Sequence, residues 1–138
     1  MEEVATNHIG LEAFHRESRK WISQLDFTAD EITFFNHLLH SYVFEPDTPG
    51  LFQTLQKHQR EIDLTRTKCV EMKRALLEHE NQLSGLMEIS SKTLDKAYQQ
   101  HHLQFKEQME ECMRSFQKLK AEIFAYGQQI LKKRHRRG

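Results

Sequence analysis

Nine histidines and two cysteines carry most of the reactive potential of this 138-residue chain. Glu12 and His15 stand at the Glu-x-x-His spacing that supplies half of a di-metal site in a helical bundle. A complete site needs a second such motif and two further inward glutamates, and the sequence holds no second copy. His15 also falls beside the apolar stripe of its helix. His37 and His40, three residues apart, share one helix face, but no Cys or acidic residue is placed to complete a zinc shell. No metal site and no cofactor are expected.

Two further pairs gain meaning from the helix pairing set out below. His79 and His102 fall in one core layer. Two imidazoles there form a pH-sensitive element, because protonation sets like charges together; the plainer reading is a wet layer with both rings leaning into water. Cys69 and Cys112 share another layer. They read as two small apolar core residues, or as a redox pair if their Cα atoms approach within ~7 Å.

The C-terminal run Lys132, Lys133, Arg134, His135, Arg136, Arg137 is the one concentrated charge run. Cations at that end favour the helix dipole. The same run offers a weak contact surface for nucleic acid or an anionic lipid, without the interleaved aromatics that strengthen such a signal. No Gly-x-Ser-x-Gly, phosphate-cradling glycine loop, Cys-x-x-Cys or His-Glu-x-x-His occurs. Each is the spacing its chemistry requires. An enzyme is not expected.

The elements that position these residues follow from a mirror in the sequence. Between Leu51 and Ile130, residues at heptad spacing pair so that their numbers sum to 181. Leu51 pairs with Ile130, Leu55 with Tyr126, His58 with Ile123, and Ile62 with Leu119. Thr65 pairs with Phe116, Cys69 with Cys112, Met72 with Met109, and Leu76 with Phe105. His79 pairs with His102, Leu83 with Tyr98, and Leu86 with Asp95. Seventeen of these twenty-two positions are apolar, against about eight expected from a chain that is 38% apolar. Two long helices folded back as an antiparallel coiled-coil hairpin produce this pattern. The sum centres the turn between Ser90 and Ser91, where serine can cap the returning helix. The rival is one uninterrupted helix from Leu51 to Leu131. Leu83 and Tyr98 lie fifteen residues apart, one more than two heptads, so a straight helix would lose its phase there.

Ahead of the hairpin the sequence predicts two shorter helices, at about 8–25 and 28–43. The first carries Leu11, Phe14, Ser18, Trp21, Ile22 and Leu25. Thr28-Ala29-Asp30-Glu31 reads as a capping box opening the second, with Phe27 and Ile32 as its hydrophobic staple. Ile32, Phe35, Leu38, Leu39, Tyr42 and Val43 form the face that follows. Pro46 ends that helix, and Pro49 opens the third behind Thr48 as cap. The long helices are expected at about 49–88 and 91–133.

The expectation is therefore an all-α, single domain over 1–138. It is an antiparallel bundle of four helices, with two short N-terminal helices packed on the base of a long coiled-coil hairpin. The short helices, ~24–27 Å long, would cover Leu51–Arg66 and leave residues 69–112 as a projecting two-helix arm. Eight of the thirteen aromatic residues lie between Phe14 and Phe52, which suits a packed base. Val70, Leu77 and Leu103 fall off the seam of the arm and are candidates for a partner-binding surface.

Composition narrows function further. Lys plus Arg and Asp plus Glu both number 20, so no net field draws in nucleic acid. No apolar run is long enough to cross a bilayer. Met1 to Gly10 is acidic and lacks an apolar h-region, so no signal peptide is expected. With two cysteines, the chain reads as cytoplasmic. The expected function is a non-enzymatic structural or protein–protein interaction module that uses the hairpin surface. It would bind a protein partner or self-associate, as in a homodimer. The alternatives are a metal- or ligand-binding helical bundle and a basic-tailed nucleic-acid accessory protein.

Overall fold

The computed structural model describes the backbone of residues 2–88 and 92–137 and the side chains of residues 10–85 and 96–133. Among the described residues the protein is all-helical. Three long helices account for it: α1 (Glu2–Leu39), α2 (Pro49–Glu88) and α3 (Lys92–Arg137), with a short 3-10 turn at Tyr42–Phe44. The turn expected at Ser90 and Ser91 lies outside the described residues.

Helix α1 corrects the expectation of two short helices and of four in all. The backbone is helical straight through Phe27, Thr28 and Ala29. The physical reason is the seam. Ser18, Trp21, Leu25, Thr28, Ile32, Phe35 and Leu39 are all buried, at alternating steps of three and four. Thr28 holds a core position in that sequence, so the helix never loses phase. No Gly or Pro interrupts residues 11–39. The staple does not form either, since Phe27 is 66% exposed while Ile32 is fully buried.

The end of α1 also falls earlier than the expected residue 43. The Gln59 side-chain amide donates to the Leu39 carbonyl at 3.2 Å, satisfying an acceptor that the helix end would leave bare. Ser41 then caps the short turn, its hydroxyl accepting from the Val43 N–H at 3.2 Å. Pro49 opens α2, and the Thr48 carbonyl accepts the first helical bond from the Phe52 N–H at 3.0 Å.

The chain divides into two compact units, Met1–Phe27 with Val70–Glu111 and Thr28–Cys69 with Cys112–Gly138. The first unit buries Leu11, Trp21, Leu25, Leu76, Leu83, Tyr98, Phe105 and Met109. The second buries Ile32, Phe35, Leu39, Leu55, Ile62, Phe116, Leu119, Ile123, Tyr126 and Ile130. Ten of the eleven mirrored pairs are described, and every one of their positions is buried or half-buried. Leu86 and Asp95 lie outside the described side chains.

The first unit corrects the two-helix arm. Residues 11–26 of α1 lie against the segment expected to project. Leu11 packs with Leu83 and Tyr98, and Phe14 joins them. The Trp21 ring stacks on His102 at 4.7 Å, and Asp26 pairs with Lys73 at 2.6 Å. A single helix of 38 residues runs about 57 Å, far longer than a partner for Leu51–Arg66 requires.

Among the described residues of the second unit, ring contacts and an ion pair help hold α1 to α3. Phe35 meets Phe116 and Phe124 edge-on, at 6.4 and 5.5 Å. Lys120 reaches Glu31 at 2.9 Å. The Tyr126 hydroxyl donates to the Phe44 carbonyl at 2.8 Å, and the Phe44 ring lies over Gly127. A Cβ at Gly127 would stand 3.2 Å from that ring, so the close approach depends on the missing side chain.

Candidate functional site

The most concentrated chemistry in the first unit is a chain of polar groups through its core. α2 places His79 between the buried Leu76 and Leu83, and α3 places His102 between the buried Tyr98 and Phe105. Nε2 of His79 lies 3.0 Å from Nδ1 of His102. Nε2 of His102 lies 2.8 Å from Oε1 of Glu17 on α1. Aromatic rings wall the pair in. His79 stacks on Tyr98 at 4.1 Å with planes 3° apart, and Phe14 lies 4.4 Å from His102.

Burial sets the protonation state of both rings. It pushes His79 down to about 4, helped by the nearby His102 and His101. It also lowers His102, against the opposing hydrogen bond and charge of Glu17. Both imidazoles are therefore neutral near pH 7. The layer is shielded from bulk solvent: each ring is 1% exposed. Glu17 is the member that sequence reasoning missed. Its signal was available, because it precedes the seam residue Ser18 and so flanks the core.

The two thiols lie in the second unit. Cys69 is buried and Cys112 half-buried, and neither forms a disulfide. Hydrogen bonding with the Cys112 thiol, then burial, pushes the Cys69 thiol far up. A thiol so placed holds little thiolate at neutral pH.

Val70, Leu77 and Leu103 are 52, 47 and 57% exposed. Val70 and Leu77 sit seven residues apart on α2, hence on one face. Sequence reasoning missed a second exposed group, in the other unit: Phe34 and Phe124 both stand open to solvent. Phe35 lies between them in ring contact, 5.5 Å from each. Their signal was their position: Phe34 directly precedes the core residue Phe35, and Phe124 directly follows the core residue Ile123.

The remaining candidates are dispersed. His15 Nδ1 pairs with Glu80 at 3.1 Å, and Glu12 is exposed. His37 and His40 are exposed, with His40 Nδ1 donating to the Asn36 carbonyl at 2.8 Å. Lys132 is exposed, and Lys133 stands 3.9 Å from Asp47 and 3.5 Å from the Thr48 hydroxyl. The side chains of Arg134, Arg136 and Arg137 lie outside the described residues. Among the described residues no helix is long and apolar enough to cross a membrane.

No protein-family model, no curated protein and no solved structure matches the chain. Its functional reading rests on the residues themselves.

Proposed function

We propose that the protein is a non-enzymatic interaction module whose exposed apolar side chains are covered by a second copy of the chain. The observation that carries this reading is the exposure of Val70, Leu77 and Leu103. Each is about half exposed although the core beside it is already filled by three helical segments. Apolar side chains left over after the core is complete are the usual raw material of an interface. Phe34 and Phe124 add to the supply in the other unit.

A second copy is the favoured occupant because of charge. Twenty basic and twenty acidic residues leave no net repulsion between two chains. The reading extends to the pairing of α2 with α3, which we take as an antiparallel coiled-coil hairpin in the register that sums to 181. Its support is the 3.0 Å contact of His79 with His102 and the thiol pair at Cys69 and Cys112. A nucleic-acid role is less favoured, since Lys133 is already set against Asp47 and Thr48.

Sedimentation equilibrium of the full chain tests the reading, with V70E and L77E combined as the interface variant. Both positions are exposed, so the variant keeps its core. Wild-type chain that dimerises and a variant that does not would support it; a wild-type monomer throughout would overturn it.

A further inference from the structure

We propose that His58, Glu61 and Glu122 form a binding site for one divalent transition-metal ion, with zinc as the best-matched cation. The three residues lie in the second unit. α2 carries His58 and Glu61 one turn apart, and α3 supplies Glu122. One ring nitrogen of His58 and one oxygen from each carboxylate all lie within 4.8 Å of one another.

Orphaned atoms point to a missing ligand. His58 occupies a core seam position and is 4% exposed, yet its Nδ1 finds no hydrogen-bond partner among the described residues. Oε1 of Glu61 is likewise buried without a hydrogen bond. Lys57 approaches that oxygen at 3.7 Å, close enough to pair in charge and too far to bond. A buried polar atom left bare is costly, and native structures rarely keep one without a reason. Here two such atoms belong to the same small cluster.

The carboxylates argue in the same direction. Glu61 and Glu122 bring two acidic groups together across a helix pair, where like charges repel. Lys57 offsets one of them from outside. A dication between the two would relieve the repulsion and satisfy the imidazole at once.

The donor set selects the cation. One imidazole nitrogen with two carboxylate oxygens suits zinc and its first-row neighbours, whereas calcium and magnesium take oxygen alone. Ligand atoms on tetrahedral zinc stand about 3.4 Å apart, so the carboxylates must close by up to about 1.4 Å. Both are half-buried and sit on long side chains, which makes that closure a matter of side-chain rotation. The Tyr126 ring, edge-on to His58 at 5.9 Å, packs the imidazole and limits its tilt.

Zinc chloride titrated into chelator-stripped full-length protein at pH 7.2, followed by calorimetry, provides the test. The wild type should bind one equivalent and melt at a higher temperature when loaded. Glu61→Gln and Glu122→Gln keep side-chain volume, and each should weaken binding about tenfold or more. The double variant should lose both the heat and the thermal shift while its circular dichroism stays helical. A variant with His37→Gln and His40→Gln should bind like the wild type. Absence of binding in the wild type would overturn the site. So would binding that survives in the double glutamine variant, since it would place the ion on surface histidines.

Discussion

Nε2 of His79 stands 3.0 Å from Nδ1 of His102, and both rings are shielded from bulk solvent in the core. The geometry permits one proton between the two nitrogens. If His102 donates its Nε2–H to Glu17, its Nδ1 is bare and accepts from His79 Nε2–H. The His79 Nδ1 is then an acceptor, and it is buried with no hydrogen-bond partner among the described residues. A second proton in the contact would set two donors against each other and add charge to a buried layer. The unit thus keeps one specific polar chain across three helical segments, a feature that favours one axial alignment over a slipped one.

Stability should fall as the solution is acidified. His79 is held at about 4 in the folded protein, below its ordinary value of 6.5. Between those two values the unfolded chain takes up a proton that the folded chain refuses, so protons favour unfolding. From pH 7.5 to 5.5 this one group should cost about 1 kcal/mol, a drop of roughly 3–5 °C in melting temperature. The downward shifts of His102 and His58 act in the same sense. Circular dichroism melts at the two pH values check this; an unchanged midpoint would mean that the rings are not shielded from solvent.

Thr28→Val distinguishes a core position from a helix cap. If Thr28 capped a second helix, losing its hydroxyl would cost about 0.5–2 kcal/mol. In the continuous α1 the hydroxyl has only a weak contact, 3.9 Å to the Met113 sulfur, and the side chain is buried. Valine has the same shape, so stability in urea should change by less than about 0.5 kcal/mol or rise.

The thiols should couple within one molecule, and slowly. Cys69 carries little thiolate because its proton is held by Cys112 and by burial. Mild oxidation with diamide should yield a single covalent chain lacking two hydrogens, with a peptide map linking Cys69 to Cys112. Oxidation of urea-unfolded chain should be faster. A product crosslinked between chains would contradict the placement of the two residues in one layer.

The seams of α2 and α3 were legible because the heptad rule needs only residue type and spacing. Ile62, Leu76, Phe116 and Ile123 are all buried where that spacing puts them. The start of α2 was legible for the same local reason, with Pro49 behind Thr48. The unity of α1 was not. Thr28 and Glu31 match a capping box in type and spacing, and a threonine inside a helix gives the same string. The unbroken alternation from Ser18 to Leu39 was the stronger signal, since a cap acts over one turn and a seam over the whole helix.

The groups around His58 were hidden for a different reason. The mirror pairs core residues, and Glu61 and Glu122 flank the core, so their numbers sum to 183. Only packing brings them to within 4.8 Å of the imidazole. Glu17 lay hidden likewise, because its partner His102 sits on a helix that the expected fold kept away from α1.

Sedimentation equilibrium across a hundredfold range of concentration bears most directly on the role in self-association. The account predicts that the 16.5 kDa chain reaches twice that mass as concentration rises. It predicts that the combined V70E and L77E variant stays at the single-chain mass with unchanged helicity. A wild-type chain that remains at 16.5 kDa at every concentration would contradict it.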